Sequence, residues 1–177
     1  ASARINTFQN LSFGHDLGAY NSPDHGSLYI HRVYIPGSIS FNTIAVLGTG
    51  ITSNRTLQLT FGLYSLNGST LSLANSASRS YTLTNVQWIT LVTSATQDIT
   101  PGDWYFATVA RTSGNTSVGL FGNSVRSAGA GRCGGPFFAG VYSATTTVLP
   151  SSIATSDMLK DGGGLNRMEM AYILISA

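Results

Sequence analysis

The chain has 177 residues, of which 42% are hydrophobic and only 9% charged, with a formal net charge of +2; a typical soluble domain carries roughly 25% charged residues. That length suits a single domain with a sizeable core. No apolar run approaches the roughly 18–20 residues that span a bilayer, the scattered arginines make no nucleic-acid footprint, and one cysteine, Cys133, excludes an intrachain disulfide.

The chain opens Ala-Ser-Ala-Arg, without Met and without a signal-peptide pattern, as expected of a processed product or a piece of a longer protein. Residues 1–13 read as an N-terminal arm or first edge strand. Gly, Pro, Asn and Asp cluster from Gly14 to Gly26, which predicts a loop. Leu28–Ile35 alternates as a strand, and Pro36-Gly37 is a turn. Ile39–Leu47 is the next strand, with Ile39, Phe41, Thr43, Ala45 and Leu47 on one face.

The most regular stretch follows. Leu57, Leu59, Phe61 and Leu63 alternate with Gln58, Thr60, Gly62 and Tyr64, the period of a half-buried strand. Asn67-Gly68 tolerates φ > 0 at both positions and predicts a tight hairpin turn. Leu71 and Leu73 lie in the return strand, with further strands at Arg79–Leu83 and Val86–Val92. In the latter both faces read as at least partly covered. Pro101-Gly102 has the chemistry of a type II turn and predicts a hairpin into the strand Trp104–Arg111. Shorter strands are expected at Ser117–Phe121 and Phe137–Ser143, around a Gly-rich loop from Asn123 to Pro136. Ser151–Lys160 has room for one helical turn, and Met168–Ser176 is a last strand, apolar on both faces near its end, of the kind that sits centrally in a sheet or at an interface. About ten short strands with regular turns predict an all-β fold, an antiparallel β-sandwich of jelly-roll type, as one domain over 1–177.

A chain so poor in charge covers itself with small polar residues or hides surface against copies of itself. Eight of its nine basic residues are Arg, and Lys160 is the only Lys. Arg suits interfaces, and the scarcity of Lys removes a usual guard of exposed sheet edges. Self-association that covers sheet edges is the expectation.

Chemistry is sparsely signalled. His15, Asp16, Asp24, His25 and His31 bring all three histidines into one short segment. The residue types suit Zn²⁺, but the spacing fits no ligand pattern, so no metal is assigned and the bland reading is a solvated loop. Gly129-Ala130-Gly131-Arg132-Cys133-Gly134 matches G-x-G-x-x-G, but Gly135-Pro136 and a strand follow where a dinucleotide site needs a helix. Cys133 as a nucleophile would need a base that the sequence does not place, no nucleophile elbow is present, and paired carboxylates would come from six Asp and one Glu. No catalytic residue and no cofactor is therefore expected. Trp88, Trp104, Tyr20, Tyr29, Tyr34, Tyr64, Tyr81 and Tyr105 could stack on sugars, although most lie in strands where core or interface roles are favoured. The candidate ligand contacts are His15, Asp16, Tyr20, Asp24 and His25 in 14–27, and Arg126 and Arg132 in 123–136.

Several segments resemble β-rich structural proteins of tailed bacteriophages, in particular the C-terminal head domains of tail or head fibres. They are Leu59–Ser65 with Asn67–Leu73, Ile99–Ala107, and Gly140–Ser143 with Leu149–Ile153, spread over residues 38–176. The resemblance is one of texture and carries over no site residue. It implies a jelly-roll-like trimeric module at the virion surface, assembled in the host cytoplasm and attaching to a host cell-surface glycan or protein receptor. A capsid decoration protein, whose partner is the capsid shell, is the alternative, followed by a glycan-binding lectin or a glycan-active enzyme. Neither nucleic acid nor membrane insertion is expected.

Overall fold

The computed structural model describes residues 4–6, 20–21, 28–49, 56–82, 87–112, 119–125, 139–142, 148–157, 167–170 and 172–175. Alternating apolar residues and β-branched side chains make nearly all of them strands: β1 (Arg4–Asn6), β2 (Tyr20–Asn21), β3 (Leu28–Ile35), β4 (Ile39–Thr49), β5 (Thr56–Asn67), β6 (Thr70–Thr82), β7 (Gln87–Ile99), β8 (Gly102–Thr112), β9 (Gly119–Val125), β10 (Ala139–Tyr142), β11 (Ser152–Ala154), β12 (Arg167–Met170) and β13 (Tyr172–Ile175). Within 151–160, which had room for one helical turn, β11 leads into a single 3-10 turn at Thr155–Asp157. Thirteen strands stand among the described residues, against about ten expected, because β1, β2 and β11 add short pairings and the last predicted strand divides into β12 and β13, while two strands expected over 70–83 merge into β6.

All pairings are antiparallel. One sheet has the order β10-β3-β8-β5-β6-β11; the other runs β1-β13-β4-β9-β12, with β7 also on β4 and β2 on β9. The sheets curl into a half-barrel. They meet along both sides, β6 against β7 and β12 against β3 and β10. Among the described residues β1 pairs only with β13, and β13 lies between β1 and β4.

The main core fills the space between the sheets. Tyr29, Val33, Ile35, Leu59, Phe61, Leu63, Phe106 and Ala110 from one sheet meet Phe41, Ile44, Val46, Ile89, Leu91 and Ile99 from the other. Phe61 and Phe106 pack edge to face, with ring centroids 5.5 Å apart. A second core covers the opposite face of the six-stranded sheet. There Leu28, Ile30, Tyr64, Leu71, Tyr105, Ala107 and Val109 lie under Leu149 and Ile153. Segment 148–157 is held across this face by the β11–β6 pairing and by backbone bonds from Leu73 N to Ser151 O and from Thr155 N to Ser69 O. The Tyr64 hydroxyl donates to the Pro150 carbonyl at 2.9 Å. β5 is thus buried on both faces rather than half-buried, since Thr60, Gly62 and Tyr64 are as enclosed as Leu59, Phe61 and Leu63.

Three local expectations are corrected. The two strands expected over 70–83 are one, β6, with a bulge where Leu63 pairs Asn75 but Tyr64 pairs Leu73. The bulge reverses the alternation, so Leu71 joins the outer core and Ala77 the inner one. A second irregularity lies where Phe41 pairs Gln97 but Thr43 pairs Val92. Beyond it Ile44 and Val46 join Phe41 in the inner core, with Ile39 packed against it, so the expected alternation from Ile39 through Phe41 to Thr43 is broken. Thr93 steadies the irregular stretch by donating to the carbonyls of Asn42 (3.1 Å) and Ala95 (2.7 Å).

The third correction concerns the turns. Pro101-Gly102 makes no hairpin: β7 and β8 belong to different sheets, and the chain crosses between them there. Gly102 has φ 136° as the crossing ends, and the Trp104 Nε1 donates to Thr100 O at 2.9 Å across it. Residues 36–38 cross beside it in the other direction, since Ile35 pairs Gly102 in one sheet and Ile39 pairs Ile99 in the other. The β5–β6 hairpin is a true one. Its loop is Gly68-Ser69, with Asn67 paired to Thr70, one residue later than the Asn-Gly reading.

Candidate functional site

His15, Asp16, Asp24, His25, Arg126 and Arg132 lie outside the described residues, as does Cys133. Tyr20 is in β2, opposite Phe121 of β9, with Asn21 opposite Leu120. Of the segment 14–27 only Tyr20 and Asn21 are described, and this pairing sets them beside β9. Asn123–Val125, expected in the second loop, are the end of β9 and pair with Glu169, Met168 and Arg167. His31 is in β3, opposite Phe106 on one side and Ala139 on the other. Among the described residues no group of three His, Cys, Asp or Glu could hold a metal ion, and no helix is long and apolar enough to cross a membrane.

The aromatic residues divide sharply. Tyr29, Tyr64 and Tyr105 are buried, and Tyr81 and Trp104 pack partly against the inner core. Tyr34 is 53% exposed and Trp88 44%. Trp88 stands on the outward face of β7 with Val92, while Ile89 and Leu91 between them point into the core. That face is partly covered at Trp88 and Thr90 and opens at Val92.

Tyr34 has the more structured surroundings. It pairs with Asp103 across β3 and β8, and Arg32 pairs with Tyr105. Alternation puts these four residues on the outer face of the six-stranded sheet, where the second core gives way to solvent. The Arg32 guanidinium reaches the Asp103 carboxylate at 3.6 Å, Arg32 partly buried and Asp103 about half exposed. Burial pushes the Tyr105 phenol above its usual value; Arg32 pulls it back and Asp103 adds to the rise. Tyr105 and the paired charges thus form a firm floor beside a solvent-facing ring. The patch offers a flat aromatic face, guanidinium donors and carboxylate acceptors, with no net charge.

A second polar cluster closes the sandwich where β6 meets β7. Arg79 Nη1 donates to Thr90 O at 3.2 Å, and the Tyr81 hydroxyl donates to the same carbonyl. The Arg79 guanidinium lies 4.9 Å from the centre of the Tyr81 ring. Burial raises the Tyr81 phenol pKa, and Arg79 opposes the rise. Thr90 lies in β7, which has no strand neighbour but β4 among the described residues, so these side chains cap an edge carbonyl.

The sequence flagged Tyr34 and Trp88 only as two aromatics among eight. Nothing local sets Tyr34 apart. The signal is the β3–β8 register, which brings Asp103 opposite it. No known protein-family model matches the chain, and no curated protein is significantly similar to it.

Proposed function

We propose that this chain is a non-enzymatic structural module of a virion, the receptor-binding head of a phage fibre, built on a jelly-roll-like sandwich and working as a homotrimer. Its partner is a host cell-surface glycan or protein, contacted through 14–27 and 123–136. The observation that supports this reading is the β2–β9 pairing, with Tyr20 of the first contact segment opposite Phe121 in the strand whose last residues, Asn123–Val125, open the second. Contact residues on loops held by a rigid scaffold are a common way to build a recognition surface. Identical weak sites held together in a trimer gain avidity without any new contact. The low charge and single Lys support burial of surface between copies.

A second reading, a capsid decoration protein, is favoured by Trp88 and Val92, exposed together on the outward face of β7. Such a face suits a protein lattice better than a sugar. Light scattering followed by a glycan array separates the two. A trimer that binds glycans supports the fibre head. A protein that binds no glycan or cell but adds to and stabilises capsids replaces it with the decoration reading.

A further inference from the structure

We infer that the outer face of β3 and β8, where Tyr34 stands beside the Arg32–Asp103 pair, is a subsite for a neutral sugar ring. The inference rests on the glycan reading above and adds a contact outside the segments 14–27 and 123–136.

Tyr34, the penultimate residue of β3, is more than half exposed. An exposed aromatic face is a platform for the C–H face of a pyranose, which is apolar while its rim is polar. The rim then needs donors and acceptors close to the ring. Asp103 is directly across from Tyr34 and Arg32 is two residues along the same face, so both lie within reach of a sugar stacked there. A guanidinium and a carboxylate side by side match neighbouring hydroxyls, one giving hydrogen bonds and the other taking them.

Charge decides the kind of sugar. Arg32 is already paired with Asp103 at 3.6 Å. An acidic sugar would meet the half-exposed carboxylate and find a cation already neutralised, whereas a neutral sugar meets no repulsion. The site is also preorganised. At Tyr34 and Asp103, β3 and β8 pair only with each other among the described residues, but the Arg32–Asp103 ion pair is already formed, and Tyr105, opposite Arg32, is 1% exposed and held in the second core. Little side-chain freedom is then lost on binding. A shallow subsite of this kind binds weakly by itself and gains strength through repetition across copies.

The test uses the intact protein, by saturation-transfer NMR with the methyl glycosides of glucose, galactose and mannose, alongside a glycan array. Tyr34→Ala is expected to lose the transfer signal with an unchanged unfolding midpoint, and Tyr34→Phe to keep it. Asp103→Asn removes the carboxylate that faces Arg32. It is expected to weaken the signal from neutral glycosides and to raise binding of glucuronic acid, a change of preference that a merely structural pair would not produce. Wild-type binding that persists in Tyr34→Ala overturns the subsite and leaves the glycan reading standing. A wild-type protein silent on both the glycosides and the array overturns both.

Discussion

Leu149 seats directly on Gly62. A Cβ at position 62 would come within 2.6 Å of Leu149 Cδ1 and 2.9 Å of Tyr64 Cε2. The glycine in the middle of β5 is the notch into which the segment 148–157 fits. Gly62→Ala is expected to destabilise the fold by about 1–3 kcal/mol through overpacking. Leu149→Ala removes the closer of the two clashes but empties the same site, so the double variant should fall short of the sum of the two single losses. Urea unfolding of the four proteins checks this, and strictly additive losses would show that the two positions do not meet.

Gly102 and Gly37 are predicted to behave in opposite ways, although both follow a proline. Gly102 has φ 136°, a region closed to residues with a Cβ, whereas Gly37 lies outside the positive-φ range and has nothing within 4 Å of a built Cβ. Gly102→Ala should cost about 1–3 kcal/mol. Gly37→Ala should be neutral, or stabilise by about 0.4–1 kcal/mol by restricting the unfolded chain. Thermal unfolding of the two variants separates them.

The buried phenols predict alkaline lability. Tyr81 and Tyr105 have pKa values raised above 10.0, each chiefly by burial. Above that pH the unfolded chain gives up these protons while the folded chain retains them, so the unfolded state binds fewer protons and stability falls as pH rises. The contribution is intact below 10.0 and is lost as pH climbs through the raised folded values. Denaturation midpoints measured from about pH 8 to about pH 11 should fall less steeply in Tyr81→Phe and Tyr105→Phe than in the wild type. Equal slopes in all three would go against this.

Arg79 is predicted to be poorly replaced by Lys. Its guanidinium both reaches the Thr90 carbonyl and covers the Tyr81 ring. Arg79→Ala should lower stability by about 0.5–1 kcal/mol. Arg79→Lys should recover only part, because an ammonium lacks the planar fork that makes both contacts at once. Identical midpoints for the wild type and Arg79→Lys would mean that charge alone matters at this edge.

The all-β class was legible because period-two alternation is a local property, plain in Leu57–Leu63 and Trp104–Thr108. The central position of β13 could be read from the apolar faces of its own residues. What could not be read depends on partners. The bulge near Asn75 is defined against Leu63 and Tyr64, and it alone decides that Leu71 and Ala77 face opposite ways. The Pro-Gly signal at 101–102 marks a reversal but does not say into which sheet the chain returns. The patch at Tyr34 was hidden for the same reason, since its ion pair joins strands distant in sequence.

The two neighbouring crossings, 36–38 and 100–101, tie the layers together before either is complete. Ile35 cannot take its place beside Gly102 without Ile39 arriving beside Ile99. Each pairing closes a long loop of chain, and the entropy of that closure must be met before the contacts reward it. The two layers should therefore assemble in one slow, concerted event, and they should come apart in the same way. For a module read as standing at the outside of a virion, that all-or-none character would be a source of endurance independent of any added disulfide.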